Sequence, residues 1–91
     1  MSIAMCDKQE ASWWVYILLC EDGSFYTGIA RNVAKRFAAH QKGRGARYTR
    51  AHRPVKVWCQ FGPYSHTLAL QEERRLKKLS HHAKEALQAI G

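Results

Sequence analysis

Two apolar segments joined by a four-residue turn lie near the start of this chain and leave it few possible folds. Residues 14–20 (WVYILLC) and residues 25–29 (FYTGI) are mostly aromatic, β-branched or aliphatic, which favours the half-buried extended conformation. The intervening residues 21–24 contain an Asp-Gly pair, and this pair supplies the positive φ that a tight hairpin turn needs. The sequence therefore predicts two antiparallel strands.

A helix is predicted to follow the hairpin. Asn32 is its expected N-cap, because its side chain can accept hydrogen bonds from a first turn that begins at Val33. Val33 and Phe37 are four residues apart and face the core. Arg36 and His40, also four residues apart, share a neighbouring face. A cation and an imidazole therefore stand one turn apart on this helix.

Two tyrosines are expected to lie close to Arg36 and His40. In a hairpin of this length Tyr16 lies near Tyr26, and both side chains can occupy the same face of the sheet. Fixed positive charge, hydroxyl groups and a base that titrates near neutral pH together suit a phosphate group. We therefore take residues 14–40 as the candidate active site. The competing interpretation is that both tyrosines are ordinary half-buried packing residues.

A basic segment follows the first helix, which is expected to end near Gln41 because two glycines come next. Residues 42–53 are predicted to form a loop in which Tyr48 and His52 lie among cations. Those cations are Lys42, Arg44, Arg47, Arg50 and Arg53. Such a loop can bind phosphates and lay Tyr48 against a base or a sugar. The alternative is a solvated loop whose charge only aids solubility.

The remaining chain is predicted to add one strand and two helices. Residues 55–61 (VKVWCQF) alternate, and Gly62-Pro63 ends this strand. One face of this strand is expected to carry Val55, Val57, Cys59 and Phe61, and the other to carry Lys56, Trp58 and Gln60. A helix then runs from Ser65 or His66 to Leu79. Its expected apolar side is formed by Leu68, Ala69, Leu76 and Leu79.

Ser80 can cap a last helix over residues 83–90. The expected fold class is therefore α+β, with a small three-stranded sheet flanked by helices. A chain of 91 residues should form one domain, residues 13–91, after an N-terminal arm, residues 1–12, that shows neither helical nor strand periodicity. The hydrophobic content of 46% is enough for one modest core and argues against disorder.

The charge of the chain favours polyanionic partners. Fifteen Lys and Arg against seven Asp and Glu give a net charge of +8 and a pI of about 9.8. So large a surplus in one small domain makes nucleic acid the first candidate partner. Charge alone is equally compatible with a basic surface that serves only solubility.

Cysteine usage and hydropathy predict a cytoplasmic protein. Cys6, Cys20 and Cys59 are odd in number, widely spaced and without a C-x-x-C pair, which argues against a disulfide framework and a zinc knuckle. The N-terminus lacks the basic start and apolar run of a signal peptide. No stretch approaches the roughly 20 apolar residues of a membrane span, so we expect no membrane partner.

The tyrosines, the arginine and the histidine occur at a characteristic spacing. WVY at residues 14–16 is followed after nine residues by YTG at residues 26–28; an arginine lies ten beyond Tyr26, and a histidine four beyond that. This pattern resembles the GIY-YIG nuclease superfamily, above all its short stand-alone bacterial members, and the likeness runs over residues 13–87. Trp14 replaces the glycine of the first motif and Thr27 the isoleucine of the second.

The resemblance implies a metal-dependent endonuclease that hydrolyses phosphodiester bonds in DNA. By resemblance, Tyr16 or Tyr26 helps to activate water, and Arg36 binds the scissile phosphate. His40 and Tyr48 would orient substrate or relay protons, because a free phenol with a pKa near 10 needs a lowered pKa or a proton-accepting neighbour. The expected substrate-binding cations are Lys42, Arg44, Arg47, Arg50 and Lys77.

A glutamate of the second long helix is the expected metal ligand, because metal-assisted cleavage needs a hard oxygen ligand and acidic residues are scarce here. Helical periodicity does not choose between Glu72 and Glu73, and Glu72 lies if anything nearer the centre of the apolar stripe. The resemblance chooses Glu73. One carboxylate implies a single Mg²⁺ or Mn²⁺ ion completed by water and phosphate oxygens. If the resemblance is set aside, the commoner role for either glutamate is an ion pair with a neighbouring cation on the helix surface.

The family members that this chain resembles have no attached DNA-recognition domain. The resemblance therefore implies that this protein would have only a weak preference for DNA sequence. DNA would then be selected by its shape, flap or branch, or through a partner protein that supplies specificity. RNA is a second candidate substrate. The alternative function is a non-catalytic nucleic-acid-binding module of the same fold, and salt-sensitive binding without metal-dependent cleavage would favour it. A protein-interaction adaptor has no distinctive support in the sequence.

Overall fold

A computed structural model describes residues 11–90, with side chains through residue 87. Residues 1–10 of the predicted N-terminal arm therefore lie outside the described part of the chain. The elements in order are β1 (Trp13–Cys20), β2 (Phe25–Ala30), α1 (Val33–Gln41), α2 (Arg47–Ala51), β3 (Pro54–Tyr64), α3 (His66–Lys77) and α4 (His81–Ile90). The α+β class is confirmed. No helix within this part of the chain is both long and apolar enough to cross a membrane.

The sheet is antiparallel in the order β2-β1-β3, so the strand that carries Tyr16 is central. The predicted hairpin is confirmed. Gly23 has a φ of 85°, and the turn closes where the amide of Cys20 donates to the carbonyl oxygen of Ser24 at 2.9 Å. Tyr16 lies opposite Gly28 in this register, and the ladder continues to the end of β2. The turn therefore determines which residues of β2 lie beside Tyr16.

Helices cover both faces of the sheet. One buried cluster joins β1 to α3 and comprises Val15, Ile17, Ala69 and Leu76. The other joins β1 and β2 to α1 and comprises Tyr16, Leu18, Ala30 and Val33. Alternate residues of β1 point to opposite faces, so consecutive residues of this one strand contribute to both clusters. The central strand is consequently buried along almost its whole length.

The predicted alternation of the third strand is wrong. β3 extends from Pro54 to Tyr64, three residues beyond the expected end, and its register against β1 shifts in the middle. Ile17 pairs with Cys59, whereas Leu18 pairs with Val57, so one extra residue is accommodated between them. Such a bulge reverses the faces that the side chains occupy. Val57 therefore packs with the α1 cluster and Cys59 with the α3 cluster, so these two residues do not share a face as predicted, and Val55 is exposed.

The predicted loop over residues 42–53 is also wrong, because residues 47–51 form the short helix α2. Ala46 precedes this helix and provides no side-chain cap. A helix this short is marginal by itself, so tertiary contacts must stabilise it. Thr49 supplies such a contact, since its side chain is buried against α1.

Helix α3 buries most of the apolar side that the sequence predicts. Ser65 is its N-cap, as expected, and accepts from the amide of Leu68 at 3.2 Å. Leu68 itself is half exposed, whereas Ala69 and Leu76 are fully buried. The helix ends at Lys77 rather than at Leu79. The predicted apolar side is therefore confirmed at Ala69, Leu76 and Leu79, and it is wrong at Leu68.

The last helix is capped as predicted but begins earlier. The hydroxyl of Ser80 accepts from the amide of Ala83 at 3.1 Å, and α4 starts at His81 rather than at Ala83. Leu87 packs against the α3 cluster. Helix α4 thus extends the core on the face of the sheet that α3 covers.

Thr27 carries a buried hydroxyl group that has no hydrogen-bond partner within the described residues. The residue is 3% exposed and lies opposite Ile17 in the sheet, on the side that α3 covers. A buried polar group without a partner costs free energy of folding. Thr27 is also the position at which the YTG sequence departs from the isoleucine of the resembled motif.

Replacing Thr27 by valine should therefore stabilise the fold. The Thr27→Val variant removes the hydroxyl and keeps the side-chain shape, so the free energy of unfolding should rise by about 1–2 kcal/mol in urea denaturation. Thr67→Val, an exposed position on α3, is the matched control and should change stability by less than about 0.5 kcal/mol. A less stable Thr27→Val variant would mean that the hydroxyl is hydrogen-bonded, for example to water.

Candidate active site

A buried hydrogen bond joins the central strand to the first helix. Tyr16 and His40 are each 1% exposed, and the phenolic Oη of Tyr16 lies 2.9 Å from Nε2 of His40. His40 is in the last turn of α1, so the position of the helix brings its ring over the sheet. Asn32 begins α1 as predicted, since its Oδ1 accepts from the amide of Lys35 at 3.0 Å. The two predicted residues thus form a polar contact inside the core.

Two glycines make room for this contact. A Cβ at Gly28 would lie 2.7 Å from the Tyr16 hydroxyl oxygen, and a Cβ at Gly45 would collide with Nδ1 of His40. The backbones of β2 and of the segment after α1 therefore approach the two rings more closely than a side chain would permit. Gly28, the last residue of the YTG motif, therefore has a steric role, because any side chain at this position would collide with the phenol of Tyr16.

The other nitrogen of His40 contacts Thr49, a residue that the sequence analysis did not single out. Nδ1 of His40 lies 2.7 Å from Oγ1 of Thr49, which is 2% exposed, and this hydroxyl donates to the carbonyl oxygen of Ala46 at 2.9 Å. The one sequence signal was a threonine three residues after Ala46, a spacing at which the hydroxyl can bond a backbone carbonyl in a helix. His40 is therefore held at both ring nitrogens.

Burial and three neighbouring residues determine the protonation of the Tyr16 phenol. Its pKa is raised to about 12, chiefly by burial and then by neighbouring Tyr26. A hydrogen bond and the positive charge of Arg36 oppose this rise, and the Glu73 carboxylate adds to it. The phenol is consequently neutral at physiological pH. The structure thus brings Tyr26, Arg36 and Glu73 within electrostatic range of one hydroxyl group.

His40 is a neutral base in this environment. Burial lowers the pKa of its imidazole below the ordinary value, and the positive charge of Arg36 lowers it further. A neutral imidazole can accept a proton, whereas an imidazolium ion cannot. The contact between Tyr16 and His40 therefore joins an uncharged donor to an uncharged acceptor.

Tyr26 and Tyr48 belong to an aromatic stack that leads from His40 to the surface. The Tyr26 ring lies 5.1 Å from that of His40 and 6.0 Å, stacked, from that of Tyr48. Tyr48 stacks in turn on His52 at 4.2 Å, and His52 Nδ1 lies 2.6 Å from Oδ2 of Asp22 in the hairpin turn. Tyr48 is 37% exposed, so the stack reaches the surface at this ring. Sequence reasoning missed the contact between His52 and Asp22, because thirty residues separate them.

Arg36 lies in an open cleft beside the buried pair. The cleft encloses about 310 Å³ and is lined by Ala30, Asn32, Lys35, Arg36 and Ala39. Arg36 is exposed there and also interacts with the Tyr16 phenol. Its guanidinium group can therefore meet an anion in the cleft while it remains beside the phenol. Lys35, which the sequence analysis did not select, adds a second cation to the lining.

The structure distinguishes the two glutamates of α3. Glu72 accepts two hydrogen bonds from the guanidinium group of Arg75, at 2.7 and 3.0 Å. The Glu73 side chain is less exposed, 18% against 31%, and Oε2 of Glu73 lies 3.4 Å from Nζ of Lys77. Neither glutamate is fully buried, because the buried residues of α3 are Ala69 and Leu76.

The predicted substrate-binding cations fall into two groups. Four are exposed and lie in the segment after α1 or in α2, namely Lys42, Arg44, Arg47 and Arg50. The fifth, Lys77, is exposed on α3 and pairs with Glu73. The first group borders the exposed aromatic stack of Tyr48, whereas the position of Lys77 is determined by its carboxylate partner.

A divalent metal ion at this site would find few protein ligands. Within residues 11–90 no group of three or more His, Cys, Asp and Glu side chains is arranged to hold a metal ion. Glu73 offers one hard oxygen ligand, partly buried and close to Tyr16. The arrangement fits a single ion whose remaining ligands are water and substrate oxygens, and Lys77 would then have to leave the carboxylate.

Comparisons with known proteins identify relatives of this chain. The family model described as the GIY-YIG catalytic domain matches residues 12–86. A UPF0213 protein of Cupriavidus pinatubonensis is 46% identical over 71 residues, which are 78% of this chain and 79% of that protein. A UPF0213 protein of Neisseria meningitidis serogroup B is 43% identical over 77% of each chain. The relatives are short proteins of the predicted kind, and their names state no reaction.

A solved structure resembles the fold as well. The solution NMR structure of a UPF0213 protein from Bacillus halodurans is 38% identical in sequence and superimposes with a TM-score of 0.53. The similarity covers 86% of this chain and 83% of that one. The three-stranded sheet with flanking helices is therefore an arrangement found in an experimental structure of a relative.

The raised pKa of Tyr16 predicts a loss of stability at alkaline pH. The folded protein holds this proton up to about pH 12, whereas an unfolded tyrosine loses it near 10. The contribution of the neutral phenol is thus complete below about pH 10 and disappears as the pH rises towards 12. The difference in free energy of unfolding between the wild type and Tyr16→Phe should shrink by about 1 kcal/mol between roughly pH 9 and pH 11.

Urea denaturation at several pH values measures this difference. Ile17→Val, the neighbouring core substitution without a titrating group, is the control, and its difference from the wild type should not depend on pH. A constant difference for Tyr16→Phe as well would show that the phenol is not protected by burial.

Proposed function

Because the chain belongs to the GIY-YIG family, we propose that it is a metal-dependent endonuclease that hydrolyses phosphodiester bonds in DNA. The observation that carries this proposal is the convergence of a base, a cation and a carboxylate on the Tyr16 phenol. His40 is hydrogen-bonded to that phenol, and Arg36 and Glu73 act on its pKa. Phosphodiester hydrolysis needs all three kinds of group close to one phosphate.

Arg36 is the proposed phosphate ligand. It is exposed in the cleft and interacts with the Tyr16 phenol, so a phosphate bound there would lie next to the hydroxyl group. A guanidinium group can donate two parallel hydrogen bonds to phosphate oxygens and offset the charge that develops in the transition state. Lys35 lines the same cleft and would add charge there.

Tyr16 and His40 form the proposed proton path, and of the two tyrosines Tyr16 is thus the one assigned to activating water. A phenol with a pKa of about 12 is a poor base by itself. If Tyr16 passes its proton to Nε2 of His40, 2.9 Å away, while it takes one from the attacking water, no free phenolate is needed. The Tyr26 ring lies tilted against the imidazole, with centroids 5.1 Å apart, and would hold it in place.

Glu73 is the proposed metal ligand. Its side chain is the less exposed of the two glutamates, and Glu72 is already held by two hydrogen bonds from Arg75. A bound Mg²⁺ or Mn²⁺ ion would polarise the scissile phosphate and offset its charge. Lys77 would move from Glu73 to the substrate backbone when the carboxylate binds the ion, which accounts for its predicted role in DNA binding.

The proposed substrate-binding surface extends from the cleft along α2. Its exposed cations would bind flanking phosphates without regard to sequence, and the exposed ring of Tyr48 would stack on an unpaired base. We therefore propose a preference for DNA that offers unpaired or distorted nucleotides, with RNA as the second candidate. A cytoplasmic protein partner would supply further specificity.

Cleavage assays with a matched pair of glutamate variants test the proposal. Supercoiled, single-stranded and branched DNA are incubated with Mg²⁺ or Mn²⁺ and the wild type, Glu73→Gln, Glu72→Gln or Arg36→Ala. Loss of Glu73 should abolish cleavage, as should removal of the metal with EDTA, whereas Glu72→Gln should retain the wild-type rate. Arg36→Ala should lower the single-turnover rate by at least about 100-fold.

Two results would contradict the proposal. If the wild type binds DNA in a salt-dependent manner and cuts none of these substrates, the protein is a non-catalytic binding module. The ion pair between Lys77 and Glu73, which occupies the carboxylate, is the observation that favours this alternative. If Glu72→Gln and Glu73→Gln are equally impaired, the carboxylates act through the stability of α3, and neither is a metal ligand.

A further inference from the structure

We propose that Thr49 is a positioning residue, whose hydroxyl group fixes the tautomer of His40 so that Nε2 is left without a proton and faces Tyr16. The inference deepens the proposed function, because only an unprotonated Nε2 can take the proton of the phenol. The tautomer itself can be measured without any cleavage assay. Failure of this inference and failure of the proposed nuclease activity are therefore distinguishable.

The hydrogen bonds of Thr49 indicate which nitrogen carries the hydrogen. A threonine hydroxyl has one hydrogen, and Thr49 donates it to the carbonyl oxygen of Ala46 at 2.9 Å. Towards Nδ1 of His40, 2.7 Å away, Oγ1 can then act only as an acceptor. Nδ1 must therefore carry the hydrogen, and Nε2 must accept from the hydroxyl of Tyr16.

The opposite tautomer would use a different set of contacts. If Nδ1 had no hydrogen, it could accept from the amide of Ala46 at 3.3 Å, and Thr49 would turn its hydroxyl hydrogen away from the carbonyl of Ala46. Nε2 of His40 would then donate to Tyr16, and it could take no further proton. The 2.7 Å contact between Nδ1 and Oγ1 of Thr49 serves either tautomer, with the donor reversed. The tautomers differ in the bond from Oγ1 to the carbonyl oxygen of Ala46, 2.9 Å, and the bond from the amide of Ala46 to Nδ1, 3.3 Å, and the shorter bond favours hydrogen on Nδ1.

The placement of Thr49 explains why the chain forms a helix at α2. Thr49 is the third residue of that helix, and Ala46 before it offers no side-chain cap. The hydroxyl bonds the backbone before the helix and the imidazole of α1 at the same time. Gly45 allows this backbone to lie directly against the His40 ring. The short helix α2 thus positions the hydroxyl group of Thr49 against the imidazole of His40.

Only some side chains can take the place of Thr49. Serine retains the hydroxyl group, so Thr49→Ser keeps both hydrogen bonds. Valine retains the shape and loses them, which leaves Nδ1 of His40 without its acceptor and with the amide of Ala46 as its nearest partner. The valine variant should therefore favour the tautomer with hydrogen on Nε2, in which His40 cannot accept from Tyr16.

Long-range ¹H–¹⁵N NMR of the histidine side chains tests the inference in the intact protein. In the wild type and in Thr49→Ser, His40 should be protonated at Nδ1, and in Thr49→Val the hydrogen should move to Nε2. A wild-type His40 protonated at Nε2, or a Thr49→Val variant with an unchanged tautomer, would overturn the inference. The backbone spectrum of each variant verifies that it is folded.

Cleavage kinetics of the Thr49 variants distinguish a role in positioning His40 from a role in stabilising the fold. In DNA cleavage, Thr49→Val should lower kcat by at least about 10-fold with little change in KM, and Thr49→Ser should restore the rate. Equal rates for Thr49→Val and the wild type would overturn the positioning role. If no variant cleaves DNA but the tautomers behave as predicted, the nuclease proposal fails and the assignment of Thr49 to the His40 tautomer remains.

Discussion

The hydrogen bond between the Tyr16 hydroxyl and Nε2 of His40 is the contact around which this small fold is arranged. It crosses from the central strand to the first helix and lies where both side chains are fully buried. A phenol and an imidazole are costly to bury unless each has a partner. The close approach at Gly28 and Gly45 and the hydroxyl of Thr49 complete the set of contacts that makes this burial possible.

The same burial shapes the chemistry that the site can perform. A dry environment raises the pKa of Tyr16 and lowers that of His40, so both groups are neutral at physiological pH. The charged residues Arg36 and Glu73 lie beside the buried pair and are more exposed than Tyr16 and His40, so an anion and a metal ion could reach them. In the proposed mechanism, proton transfer from Tyr16 to His40 would take place inside the core, whereas the substrate would be bound at the surface.

Local patterns predicted the parts of the fold that local interactions determine. The Asp-Gly turn specified the hairpin register, and the Asn32 cap specified the start of α1. The bulge in β3 was not predictable, because it depends on pairing with β1 rather than on alternation within the strand. Helix α2 and the role of Thr49 were missed for the same reason, since tertiary contact with His40 outweighs the loop-like composition of that segment.

The central claim is that Tyr16 and His40 act as one proton-transfer unit, and a kinetic double-mutant cycle tests it most directly. Single-turnover cleavage of DNA with Mn²⁺ is compared for the wild type, Tyr16→Phe, His40→Gln and the double variant. If the two residues act as a unit, the double variant is no slower than the slower single variant. If instead the two losses multiply, the residues contribute independently and the hydrogen bond between them is not the proton path.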